Sequence, residues 1–116
     1  MAKDRFSYQS EKLSQARSSL MLPHSMGEER SVAFAFEFCG RAFHQFDVGR
    51  VEDENARQWI DTIKRYMNTE GVEDPTGEGT WVQRARMMTT DEKREFSDAV
   101  DQLASWFDRE FWAGRE

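Results

Sequence analysis

The sequence predicts an all-α protein, a bundle of three or four mostly antiparallel helices with a long irregular loop at about 71–88 before the last helix. Three observations support this prediction. In four segments, apolar residues recur at the three- and four-residue spacing of amphipathic helices. Two of these segments open with the Ser/Thr-x-x-Glu pattern that caps helix N-termini. The connections at 22–26 and 47–52 are short, which favours antiparallel neighbours.

The first predicted helix extends from about Phe6 to Met21 and has a thin apolar stripe. Leu13 and its helical neighbours supply the apolar face, while several serines lower the helix propensity of the segment. Pro23 ends the helix, because the residue before a proline avoids the helical region.

The second predicted helix begins at Ser25, which forms a capping box with Glu28, and extends towards a stop at Gly49. Its apolar positions cover most of its circumference. They are Val32, Ala35, Phe36, Phe38, Cys39, Ala42, Phe43 and Phe46. We expect a helix this apolar to be the central one, contacted by other helices on more than one side.

The third predicted helix opens in the acidic run 52–54, which suits the positive end of a helix dipole, and Gly71 caps it just beyond its end. The fourth begins at Thr89 or the next residue, with Glu92 completing its capping box, and stops at Gly114. Both helices have a continuous apolar face. These faces consist of Ala56, Trp59, Ile60, Ile63, Tyr66 and Met67 in the third, and of Phe96, Ala99, Val100, Leu103, Trp106, Phe107 and Phe111 in the fourth.

The segment 71–88 has no helical periodicity over its length, and its residues 74–77, Asp-Pro-Thr-Gly, predict a tight turn. A short strand or a helical turn is expected around Trp81 and Val82. The glycine-rich residues 77–80 lack the Gly-Lys-Ser/Thr of a phosphate-binding loop. Because long loops are disproportionately functional, this segment is the first place to look for a site.

Composition and charge narrow the function classes. The 116 residues suit a single domain spanning 1–116. The formal net charge is -6 with acids and bases intermixed, so direct nucleic-acid binding is not expected. The first residues are polar, unlike a secretory signal, and no segment approaches the roughly 18 apolar residues of a membrane span. The lone Cys39 suits a reducing compartment, which predicts a cytoplasmic protein.

The sequence predicts no catalytic residue, no cofactor and no metal site. His24, Cys39 and His44 do not cluster at ligand spacing, so we interpret Cys39 as a core residue and His44 as a surface residue. Glu37, Arg41 and His44 follow one another along one helix face. Such a row is typical of a solvated face with ion pairs between residues four apart, and we expect a non-catalytic protein.

Three aromatic residues are not explained by the predicted core faces: Phe34, Trp81 and Trp112. Trp81 lies near Arg84 and Arg86, and Trp and Arg are enriched where proteins bind one another. These five residues form a possible interaction surface. The alternative is that the loop folds over the bundle and buries Trp81, while Trp112 packs on the first helix.

We therefore favour a non-catalytic interaction or regulatory module that binds a protein partner or associates with itself. One alternative is a small-molecule-binding protein or enzyme with a pocket under the 71–88 loop. Its polar groups would be His44, Arg41, Arg84 and Arg86. Another alternative is an acidic inhibitor that mimics nucleic acid, although the interspersed basic residues interrupt the anionic face that a mimic needs.

Overall fold

The computed structural model describes residues 6–21 and 28–113, and helices account for most of them. The helices are α1 (Ser7–Met21), α2 (Glu28–Phe43), α3 (Glu54–Met67), α4 (Thr80–Arg86) and α5 (Thr90–Ala113), with a 3-10 turn at Val48–Arg50. No strand occurs within these two ranges. The prediction of an all-α bundle with a connecting segment before the last helix is confirmed.

The helices pack as a bundle in which α1 lies against both α2 and α5, α3 lies against α5, and α4 lies against α2. Gln9 Nε2 donates to the Ala42 carbonyl over 3.3 Å, which places the start of α1 at the end of α2. Arg65 pairs with Glu95 at 2.7 Å, which places the end of α3 at the start of α5. Both helix pairs are therefore antiparallel.

The core contains aromatic clusters in its middle and at one end. In its middle, Phe36 of α2 and Phe96 of α5 are fully buried, with ring centroids 4.8 Å apart. At one end, Phe6 packs on Phe107 at 5.2 Å and on Trp106 at 5.6 Å. Such ring pairs add to the stability that comes from apolar burial alone. In the described part of the chain, no helix is both long and apolar enough to cross a membrane.

The second helix is shorter than the sequence predicts, because it ends at Phe43 rather than near Gly49. Gln45 adopts a left-handed backbone with φ of 54°, and the Asp47 side chain then accepts a hydrogen bond from Gly49 N at 2.8 Å. Such a local side-chain bond offers the backbone an alternative to the helix. Phe46 nevertheless packs against the core from this turn, so its apolar character reflects burial rather than helix.

Helix starts agree with the sequence patterns where they can be compared. Thr89 N donates to Glu92 Oε1 at 2.8 Å and Glu92 N donates to Thr89 Oγ1 at 3.1 Å, which is the reciprocal capping box predicted for the last helix. The predicted box at Ser25 and the predicted stops at Pro23 and Gly114 fall outside the described residues.

The segment 71–88 contains α4, so the helical alternative around Trp81 is confirmed and the strand alternative is wrong. The turn before α4 is organised by one carboxylate. Asp74 accepts hydrogen bonds from Gly79 N at 2.8 Å, Glu78 N at 3.1 Å and Gln83 Nε2 at 3.1 Å. These bonds lower the pKa of Asp74, chiefly through Gln83. The segment is therefore an ordered connection rather than an irregular loop.

Candidate functional site

Two predicted interaction residues, Trp81 and Arg84, connect α4 to the end of α3. Trp81 is partly buried, and its Nε1 donates to the Met67 carbonyl at 3.2 Å. Arg84 Nε donates to the Tyr66 carbonyl at 2.9 Å, and its guanidinium lies 5.8 Å from the Tyr66 ring centroid. Because the last carbonyls of a helix have no partner within that helix, these two side chains cap α3.

Gly40 of α2 makes room for this arrangement. A Cβ atom at this position would lie 3.3 Å from Trp81 Cη2 and 3.4 Å from Met67 Cε. The separation from Trp81 is tighter than an ordinary van der Waals contact, so a side chain here would force the tryptophan to shift slightly, whereas Met67 would be in contact. The glycine thus allows Trp81 to pack closely on α2, with its ring centroid 6.3 Å from that of Phe36.

The third predicted residue on α4, Arg86, belongs to an ion-pair network around Glu78. Its guanidinium holds both oxygens of the Glu78 carboxylate, at 2.5 and 2.9 Å. Arg30 of α2 contacts the same carboxylate at 3.3 Å, and the Thr76 hydroxyl donates to it at 2.9 Å. Arg86 lowers the pKa of Glu78 to about 2, with Thr76 as the next contributor. The network fastens the turn before α4 to α2.

We expect Glu78→Gln to reduce stability at neutral pH and to flatten its acid dependence. The folded-state pKa of about 2 lies below the ordinary value of 4.5. The stabilising contribution is therefore complete above pH 4.5 and is lost as the pH falls from 4.5 towards 2. Urea unfolding midpoints measured across this range test the prediction. Glu73→Gln, an exposed change on the same segment, is the control and should leave the slope unchanged.

Phe34 lies on the outer stripe of α2. This stripe consists of Arg30, Phe34, Glu37 and Arg41, whose spacing places them on the side of the helix opposite the buried Phe36. The Phe34 side chain is 46% exposed. Arg41 pairs with Glu37 at 2.6 Å, which confirms the ion pair expected in this row.

A groove lies on each side of the outer stripe. The α2–α4 groove has a volume of about 350 Å³ and contains Ala33 and Trp81 beside Phe34. Its full lining is Arg30, Ala33, Phe34, Glu37, Glu78, Gly79, Thr80, Trp81 and Val82. The α1–α2 groove has a volume of about 410 Å³, and Phe38 forms its aromatic wall. It is lined by Glu11, Ser14, Gln15, Ser18, Ser19 and Phe38.

The structure does not bring Trp112 to this surface. Lys93 of α5 pairs with Glu28 at 2.6 Å, which places the start of α5 near the start of α2. Trp112 lies roughly 28 Å further along α5, at about 1.5 Å of rise per residue. Its side chain is 59% exposed and makes an edge contact with Phe111 at 5.4 Å between centroids. Of the five predicted interaction residues, Phe34 and Trp81 thus line one groove, Arg84 and Arg86 lie elsewhere on α4, and Trp112 lies apart from them.

The predicted roles of the thiol and the imidazole agree with their positions. Cys39 is completely buried in α2, and burial raises the pKa of its thiol. A thiol held in this form is a poor nucleophile. His44 is exposed just beyond the end of α2, and His24 falls outside the described residues. No group of His, Cys, Asp and Glu side chains in residues 6–21 and 28–113 is arranged to hold a metal ion.

Sequence reasoning identified Phe34 and Trp81 of the α2–α4 groove and missed its charged residues, Arg30 and Glu78. Arg30 and Glu78 meet only because α4 folds back onto α2, and nothing in the local sequence of either residue signals this contact. The same applies to Asp74, whose turn pattern was evident while its three hydrogen bonds were not. Comparisons with protein-family models, with curated proteins and with solved structures give no match for this chain.

Proposed function

We propose that this protein is a non-catalytic interaction module that binds a protein partner through the outer stripe of α2. The observation behind this proposal is the position of Phe34. Phe34 is 46% exposed, and it stands between two grooves on a helix whose opposite face is buried in the core. An aromatic side chain beside a concave surface is the usual composition of a binding hot spot.

The surroundings of Phe34 are held in place before any partner arrives. The inner face of α2 is fully buried through Ala35, Phe36 and Cys39. Rotation of the helix about its axis would expose these side chains and is therefore unfavourable. On the far side of the α2–α4 groove, α4 is fixed by the hydrogen bonds of Trp81 and Arg84 to the end of α3. Binding to a rigid surface costs less conformational entropy than ordering a flexible one.

The charges around the stripe favour a protein partner over nucleic acid. Arg41 is paired with Glu37, and both Arg30 and Arg86 are paired with Glu78. Arg86 also pairs with Glu29 at 3.7 Å, so three arginines face three glutamates. The surface therefore has no excess of positive charge for phosphates, and no continuous negative face for mimicry of nucleic acid. Together with the lone, reduced Cys39, this supports an interaction between proteins in the cytoplasm.

A photo-cross-linking phenylalanine analogue at position 34 tests this proposal. The same analogue at Met87, which is 62% exposed on a different surface, is the matched control. After irradiation in extract of the producing cell, we expect discrete protein adducts from position 34 that the control position does not give. Equal labelling at both positions, or none at either, would contradict the proposal.

The α2–α4 groove also supports a second candidate, a small-molecule-binding protein. Its volume of about 350 Å³ lies at the small end of ligand pockets, which span roughly 300–1,000 Å³. The cation that lines it is Arg30, whereas His44, Arg41, Arg84 and Arg86 do not line it. A metabolite that binds there should raise the melting temperature of the wild-type protein by mass action, and less so that of Arg30→Ala.

A further inference from the structure

We infer that the partner bound by the outer stripe of α2 is a second copy of this chain, with the two α2 helices antiparallel across a two-fold axis at the level of Cys39. This inference rests on the proposed function and specifies its partner. It follows from the order of charges along the stripe and from the shape of the surface on either side of it.

The order of charges selects an antiparallel copy. Along the stripe the exposed groups are Arg30, Phe34, Glu37 and Arg41, so one negative charge lies between two positive ones. A parallel copy would set Arg41 against Arg41 and Glu37 against Glu37, which is repulsive. An antiparallel copy with its axis at the level of Cys39 instead sets Arg41 of each chain opposite Glu37 of the other. Because an isologous interface repeats every contact, each favourable pair occurs twice.

Arg41 and Glu37 can each form an ion pair with the other chain in addition to the ion pair that they share within their own. Within the chain they share one ion pair, between Arg41 Nη2 and Glu37 Oε1, at 2.6 Å. A guanidinium has five N–H donors and a carboxylate accepts about four hydrogen bonds, so both groups can engage a second partner. Arg41 also lies 5.8 Å from the ring centroid of Phe38, so it is already placed over the aromatic part of the surface.

The shape of the surface is also self-complementary. Phe34 and Phe38 are four residues apart and form a ridge of the kind that packs into the groove of another helix pair. The α1–α2 groove lies beside this ridge, and its volume of about 410 Å³ has room for a phenyl ring. Its other wall contains the small side chains of three serines, two of which are Ser14 and Ser18, with Glu11 and Gln15 beside them. In the antiparallel arrangement, the Phe38 residues of the two copies lie next to each other across the axis, each at the edge of this groove, and Phe34 lies near the end of the partner's α2.

Sedimentation velocity over a concentration series tests the inference, with charge reversal to identify the contacts. We expect the wild-type protein to dimerise reversibly. Glu37→Arg alone and Arg41→Glu alone should each weaken the dimer by about tenfold or more, because each creates two like-charge contacts. An equimolar mixture of the two variants should associate again, since the introduced arginine of one chain then faces the introduced glutamate of the other. Asp61→Arg, an exposed charge reversal on α3, should dimerise like the wild type.

The mixture separates an interface effect from a folding effect, because loss of the pair within α2 would not be repaired by mixing. A wild-type protein that stays monomeric at every concentration would overturn the inference, as would variants that dimerise normally or a mixture that does not recover. If the protein is monomeric and position 34 still cross-links to another protein in extract, the inference fails while the proposed function stands. If the protein is monomeric and position 34 gives no cross-link, both the dimer and the proposed interaction function are wrong.

Discussion

Replacing Phe36 by alanine is expected to lower the free energy of unfolding by about 3–5 kcal/mol, the range for large-to-small changes at a fully buried aromatic residue. Its ring is 0% exposed and lies 4.8 Å from Phe96 and 6.3 Å from Trp81, measured between centroids. Removal of the ring would leave a cavity at the point where α2, α4 and α5 meet, and these helices cannot collapse into it without losing other contacts.

Phe34→Ala, two positions earlier in the same helix, is the matched control. The same atoms are removed, yet the ring is 46% exposed and its loss should change stability by about 0.5 kcal/mol or less. Both variants should be unfolded with urea at low protein concentration, so that self-association does not add stability by mass action. Equal losses for the two variants would contradict the burial assigned to Phe36.

Trp81→Ala is expected to cost about 2–4 kcal/mol, slightly less than a fully buried tryptophan because the side chain is partly exposed. Three contributions are lost together: packing on Phe36, contact with Gly40, and the hydrogen bond to the Met67 carbonyl. Trp81→Phe keeps much of the ring packing and removes the donor, so it should cost less, with about 1 kcal/mol from the hydrogen bond.

Amide hydrogen exchange identifies where the Trp81 variants lose stability. Because this side chain joins α4 to the end of α3, we expect faster exchange in α4 and in the last turn of α3 than in α5. Met87→Ala, at a position 62% exposed just after α4, should leave the exchange pattern unchanged. If the amides of α4 exchange as slowly in Trp81→Ala as in the wild type, the tryptophan does not hold this helix in place.

The helices were predictable where one face of each is apolar and an end carries a capping pattern. The last helix satisfies both conditions, and its Thr89–Glu92 box occurs as predicted. The prediction failed at the end of α2, because Phe46 continues the apolar spacing while Gln45 turns the backbone out of the helix. Apolar periodicity indicates that side chains face the core, but it does not show that the backbone between them is helical. Phe46, which faces the core from beyond a turn, therefore fits the helical spacing.

The surface was less predictable than the helices. Phe34 was assigned correctly to the exposed side of α2, since its position in the helical repeat is enough to place it. For Trp81 the sequence left two alternatives open, an exposed binding residue and burial under a loop folded over the bundle, and the structure has it partly buried. Sequence could not decide because the partners of Trp81 and Arg84 are backbone carbonyls of another helix. Backbone groups have no sequence signature, so no pattern in the chain indicates which side chain will cap which helix end.

The reactivity of the single thiol, Cys39, reports how often the core opens. Cys39 is fully enclosed in α2, so a thiol reagent can reach it only when the surrounding helices separate. When opening is fast and reversible, the labelling rate of the unmodified chain relative to that of an unstructured peptide gives the free energy of that separation. Phe36→Ala should speed the labelling, whereas a dimer joined through α2 should slow it as protein concentration rises. One colorimetric assay can therefore follow both the packing inside this helix and the association outside it.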